Sequence, residues 1–200
     1  MRLLPALCLI AALAVGAAAS TAQADSLSGK VLVARKGMPD PRFQETVIYL
    51  IDHDRDGALG LVVNKPFAVG PIAALLDQLG IDADEQGEDV GGSVTLHYGG
   101  PVDPGRYFVL HSDDYEADRT RLVADGIAWT IGPEALIDIA LGQGPRRSLL
   151  VFGYSGWGPS QLEDELARGD WRVIDADPDL VLGTDHESKW ERARGGGIII

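Results

Sequence analysis

The sequence is poor in cysteine, in basic residues and in aromatic side chains, and each shortage removes a class of function. Its one cysteine, Cys8, lies in the first two dozen residues. A mature chain starting at Asp25 therefore has none, which excludes a disulfide framework, a thiolate nucleophile and a cysteine metal site. Lysine and arginine number 17 against 30 aspartates and glutamates, for a net charge of -13. No local block of Lys and Arg offsets that excess, so the surface repels phosphate backbones and direct nucleic-acid binding is disfavoured. The acid excess reads as a solvated surface. The four histidines, at 53, 97, 111 and 186, lack the short paired spacing of metal ligands, and no metal site or cofactor is expected. With aromatics at 6%, Trp129, Trp157, Trp171 and Trp190 read as core or seam residues and not as stacking platforms.

The single long hydrophobic run is N-terminal. Arg2 precedes the apolar stretch Leu3 to Ala19, and Ala22-Gln23-Ala24 ends it with small residues where a signal peptidase reads. Residues 1–24 thus read as a cleaved signal peptide and 25–200 as one domain, with a periplasmic location and no stable membrane anchor after cleavage. A retained anchor is disfavoured, because the run barely spans a bilayer and no basic stop-transfer flank follows. Leu7 before Cys8 is too large for a lipid-modification site.

What is present is a chain of short, mixed elements, 46% hydrophobic and 24% charged, with enough length for one core. Strands are expected at Lys30–Ala34, Thr46–Ile51, Ala58–Asn64, Val94–Tyr98, Arg106–His111, Ser148–Phe152 and Trp171–Asp175, all rich in Val, Ile, Leu, Tyr and Phe. Helices are expected at Pro71–Leu79, Pro133–Leu141 and Ser160–Arg168, the first two opened by proline and all three stopped by glycine. Asp82 to Gly92 reads as an acidic, apolar-poor loop. Early hairpins with helices scattered among later strands indicate an α+β or mixed α/β fold, not a regular parallel array.

One stretch concentrates the features of a site. In Gly153-Tyr154-Ser155-Gly156-Trp157-Gly158-Pro159-Ser160-Gln161, a strand runs into a glycine-rich turn and then a helix start, with Ser160 and Glu163 at capping-box spacing. Main-chain N–H groups at such a start can hold an anion, and the glycines admit a ligand close to the backbone. A second glycine corner, Tyr98-Gly99-Gly100-Pro101-Val102, is placed to fold over the first and close a pocket, with a plain wide turn as the alternative. The expected ligand-binding residues are Tyr98, Gly99, Gly100, His111, Gly153, Tyr154, Ser155, Gly156, Trp157 and Gln161.

Two enzymatic or metal-dependent readings compete. Strand, Gly153, Tyr154, Ser155, Gly156 and helix resemble a nucleophile elbow, which makes Ser155 with His111 or His97 as base the alternative catalytic pair. Trp157 stands where that motif needs glycine, and the helix starts late. Asp52-His53-Asp54-Arg55-Asp56-Gly57 matches the first half of a calcium loop, but Val63 stands where the bidentate glutamate belongs and both flanks are strand-like. A hairpin turn is the better account.

Several motifs together resemble the YqgE/AlgH family, also called UPF0301 or DUF179. They are Met38-Pro39-Asp40-Pro41-Arg42-Phe43, Thr46 to Leu50, His53 with Gly57 to Pro66, Tyr98 to Val102, Val109 to Ser112, and Gly153 to Trp157 with Gln161-Leu162-Glu163. They run in family order over nearly the whole mature chain. The resemblance implies a single compact domain with a bifurcated or partly barrel-like sheet surrounded by helices. It brings no established catalytic residue or cofactor, although some members are linked by name to regulation of alginate production. The family pattern accepts alanine in place of Ser155, which argues against a serine nucleophile. Family analogy implies a cytoplasmic location, against the periplasmic one read from residues 1–24. Arg35-Lys36-Gly37 and the tail Gly195 to Ile200 depart from the family pattern. The expected function is therefore a non-enzymatic binding or regulatory domain whose cleft takes a small ligand or a protein segment.

Overall fold

Strands β1 (Lys30–Ala34) and β2 (Val47–Asp54) are near-continuous apolar runs because both of their faces are covered. Val31, Val33, Val47, Tyr49 and Ile51 point into one core cluster, while Leu32, Ala34, Ile48 and Leu50 point into another. This is seen in a computed structural model that describes residues 26–81, 91–124 and 126–196. Residues 1–24, most of the acidic loop after Asp82 and the Ile198 to Ile200 tail lie outside the described residues.

The remaining elements follow in order: β3 (Gly57–Val62), β4 (Pro66–Pro71), α1 (Ile72–Leu79), β5 (Ser93–Tyr98), β6 (Val102–His111), β7 (Thr120–Ala124), β8 (Ile127–Thr130), α2 (Pro133–Ala140), β9 (Ser148–Trp157), α3 (Gln161–Ala167), β10 (Trp171–Asp175), α4 (Pro178–Val181) and α5 (Lys189–Gly196). The fold is α+β, a curled, mainly antiparallel sheet in a single domain with helices around it. β2 and β3 join through a tight hairpin in which Asp54 faces Gly57, and the Asp54 carboxylate accepts from the Asp56 N–H at 2.8 Å. The calcium-loop look-alike is thus a turn between paired strands. α1 ends as expected on Gly80, whose φ of 66° supplies the left-handed stop.

β9 is where the sheet divides. Its first half lies between β6, antiparallel, and β5, parallel, so that Leu150 faces both Val109 and Leu96. Its second half pairs with β3 through Gly60↔Ser155 and Ala58↔Trp157. The same edge therefore carries the short arm β5–β4 first and the long arm β3–β2–β1–β10 afterwards. α1 and α2 cover the first-half arm with Leu76, Ala135 and Leu136 against Val109 and Leu150. α3 covers the second with Leu162 against Ile48, Val62 and Trp157.

Candidate functional site

The division of β9 requires a close approach of backbones, and glycine supplies it. Gly99 donates its N–H to Phe152 O at 2.7 Å and accepts from Val62 N at 3.0 Å. A Cβ on Gly99 would lie 2.3 Å from Gly153 O, and one on Gly100 would lie 2.2 Å from the Tyr154 carbonyl carbon. The two glycine corners thus meet, but backbone against backbone, with no room between them. The expected glycine turn at Gly153–Trp157 is instead the continuing strand β9, paired with β6 at Tyr154 and with β3 from Ser155 to Trp157. Tyr98, Gly99, Gly100 and Gly153 build the junction. Tyr154 faces the other way, its ring packing on Phe108 with the Arg106 guanidinium nearby.

The expected capping box is not formed. Ser160 has φ 61°, and its side chain makes no cap bond. An N-cap needs an extended backbone to aim its oxygen at the N2 or N3 amide, and the left-handed conformation removes that aim. The Gln161 amide oxygen accepts instead from Gly158 N, ahead of the helix, at 3.1 Å. Glu163 reaches His53 Nε2 at 3.0 Å instead, and its carboxyl is held below the usual range by its own backbone N–H and by His53.

His111 is not part of the cleft. It is fully buried, with Nδ1 at 2.8 Å from Ser112 O and Nε2 at 2.9 Å from Thr130 Oγ1. It faces Ser148 across the β6–β9 ladder, seven positions from Ser155, or roughly 23 Å along a strand. The Ser155 hydroxyl donates to Gly99 O at 3.2 Å and is buried. Among the described residues no histidine contacts it, and the catalytic alternative Ser155 with His111 is not assembled. Each polar group is held by the partner that let it be buried.

A cleft does open beside this junction, with a volume of ≈ 360 Å³. Ser155, Gly156, Trp157 and Gln161 line it from the expected set, and Pro101 comes from the second corner. Its opposite wall is the loop Met38 to Phe43, and its end is formed by Glu165, Arg168, Asp170 and Trp171. The floor is aromatic: Trp157 and Trp171 pack edge to face at 6.2 Å between ring centres, and Phe43 packs on Trp171 at 5.6 Å. Glu165 locks it. One carboxylate oxygen accepts both indole N–H groups, at 2.9 Å from Trp157 and 2.7 Å from Trp171, and the other accepts the Gln161 amide at 3.0 Å. Asp40 caps the short turn that follows it and takes Arg42 in a fork, so that the Arg42 hydrogen bond holds its carboxyl below the usual range. Asp170 receives Arg168 Nε at 3.0 Å and Arg35 Nε at 3.3 Å.

The residues that sequence reading missed are thus Glu165, Arg168, Trp171 and the Met38–Phe43 wall. One signal was available: Gln161 and Glu165 are four apart on one helix face, directly after Trp157.

Comparison with known proteins agrees with this architecture. The family model described as AlgH-like, DUF179, matches residues 31–196. A UPF0301 protein of Ruegeria pomeroyi is 46% identical over 168 residues, 84% of this chain and 89% of that protein. One from Methylococcus capsulatus is 43% identical over 166 residues, 83% of this chain and 88% of its own. The solution structure of the AlgH protein from Pseudomonas aeruginosa superposes with a TM-score of 0.69 at 32% identity, covering 88% of this chain and 92% of that one. A crystal structure of a Corynebacterium diphtheriae protein shares the fold, with a TM-score of 0.63 at 22% identity over 82% of this chain and 85% of that one. The extent and identity of these matches make this chain a member of the AlgH-like, UPF0301 family.

Proposed function

We propose that this protein is a non-enzymatic ligand-binding domain, exported by residues 1–24, and that its ligand occupies the cleft between the Met38–Phe43 loop and the β9–α3 junction. The observation that carries this reading is the locked aromatic floor: two largely buried indoles are held by a single carboxylate on α3. Such a floor loses little conformational freedom when something rests on it, which is the advantage of a preorganised pocket. A small ligand or a short protein segment fits a recess of ≈ 360 Å³.

The test is a thermal-shift screen followed by spectra of the tryptophan indole N–H groups of the hits. Hits are expected to move the Trp157 and Trp171 signals and leave Trp129 in place. Hits that move only Trp129 and Trp190 would put the ligand elsewhere. Export is tested by sequencing the periplasmic protein, which is expected to begin at Asp25; a chain that keeps Met1 in the cytosol would overturn that part.

A further inference from the structure

The polar inventory of the cleft is lopsided. Every carboxylate that lines it already has donors: Asp40 from Arg42, Glu165 from two indoles and an amide, Asp170 from Arg168 and Arg35. The two indole donors are committed to Glu165, and Gln161 uses both ends of its amide. The walls Pro39 and Pro101 have no N–H to offer. Guanidinium groups are different, because each carries five N–H donors. Among the described residues, the side chain of Arg42 engages only Nε and Nη2, toward Asp40, and that of Arg168 engages only Nε, toward Asp170. Unused donors therefore outnumber unused acceptor sites.

Resting on the cleft being the ligand site, we propose that its ligand is an organic carboxylate carried on an apolar body, the carboxylate meeting Arg42 or Arg168 and the body lying on Phe43, Trp157 and Trp171. A cationic or donor-rich ligand meets fewer open acceptor sites and competes with Arg42 for Asp40 and with the indoles for Glu165. A carboxylate displaces nothing and matches the planar fork of an arginine. The apolar body is required because the floor has no polar atom left to bond. The protein's net charge of -13 does not forbid this, since charges beyond about 10 Å are screened at ordinary ionic strength, Asp40 and Asp170 are paired with arginines, and Glu165 is held by three N–H donors.

Three probes of one shape separate the alternatives: phenylacetate, phenylacetamide and phenethylamine, titrated into the mature protein with the Trp157 and Trp171 indole signals as readout. Phenylacetate is expected to bind at least about tenfold more tightly than the amide, and the amine not at all. Arg42→Gln combined with Arg168→Gln is expected to bring phenylacetate down to the amide's affinity and each single variant to weaken it, whereas Arg55→Gln, the same charge change as one single variant but on the exposed hairpin, leaves it unchanged. Amide or amine binding as well as phenylacetate would overturn the carboxylate inference and keep the cleft. Inorganic phosphate competing as well as phenylacetate would overturn the apolar body. Silence of both indoles with all three probes would overturn the inference and the cleft reading together.

Discussion

Two recesses flank the loop from Met38 to Glu45, and they treat their charged groups in opposite ways. On the side of Trp157, each carboxylate is matched by donors that reach it from another element or from its own turn. On the other side, a more open recess of ≈ 630 Å³ bounded by Glu45, Lys65, His186 and Trp190 has in its wall one member of a group of three bases, His186, whose companions His97 and Lys189 are buried. His97 and His186 meet Nε2 to Nε2 at 3.3 Å. His97 Nδ1 faces Leu150 O at 3.2 Å, and because a carbonyl can only accept, Nδ1 carries the proton and Nε2 turns its lone pair to His186. Lys189 is fully buried and donates to two carbonyls, Val63 O and Val181 O, each at 2.8 Å.

The consequence is electrostatic. Burial, helped by the charge of His186, pushes His97 down to about 4. Burial also pushes Lys189 down to about 7, with Arg192 acting in the same direction and Asp185 against it. His186 is lowered as well, by burial and by Lys189. The bases of the second recess are lowered first by their burial and then by one another, whereas the arginines that pair with Asp40 and Asp170 in the first stay open to solvent, so depth sets the response and neighbouring charge adds to it.

The comparison can be broken most forcefully at Glu165. Glu165→Ala strands two indole N–H groups and an amide, and a loss of roughly 4 kcal/mol is expected in urea denaturation. Glu165→Gln, which keeps an acceptor, is expected to cost about half as much. A loss under about 1 kcal/mol for the alanine variant would mean that the carboxylate does not lock the floor.

Acid sharpens the other side. Between the ordinary histidine value near 6.5 and about 4, the unfolded chain takes up a proton that folded His97 does not. Stability therefore falls as pH drops through that window, by about 3 kcal/mol at its lower end. His186 adds in the same direction. Melting temperature followed from pH 7 to pH 4 is expected to decline steeply in the native chain and more gently in His97→Gln. Equal slopes would remove His97 from the account. Lys189 acts at the opposite end: its folded value near 7 lies below its unfolded value of 10.5, so stability is expected to rise with pH between them.

The smallest effect is expected at Ser155. Ser155→Ala removes one hydroxyl bond to Gly99 O and is expected to cost about 1 kcal/mol. The native protein is expected to remain unlabelled by a serine-reactive fluorophosphonate. Labelling that Ser155→Ala abolishes would restore the nucleophile reading.

Much of the fold was legible locally. The apolar runs of β1 and β2, the Tyr107–Leu110 run of β6, and the proline starts and glycine stops of α1 and α2 all follow from neighbouring residues. β4, β7, β8, α4 and α5 were not foreseen. β4 reads Pro66-Phe67-Ala68-Val69-Gly70-Pro71, a proline-bounded and exposed segment whose strand form comes only from its ladder with β5. β9 was cut short at Phe152 because Gly153, with φ 70°, signals a turn in sequence and a change of partner in space.

Family membership, the hairpin at Asp54–Gly57 and the presence of Trp157 and Gln161 at a recess were decided by chain order, since each depends on backbone preferences or motif spacing within a few residues. The role of the paired glycines, the exclusion of His111 from the cleft and the joining of Trp157 to Trp171 through Glu165 were decided by folding. These depend on which strand lies beside β9 at each point along its length, and that choice is made by contacts between residues far apart in the chain.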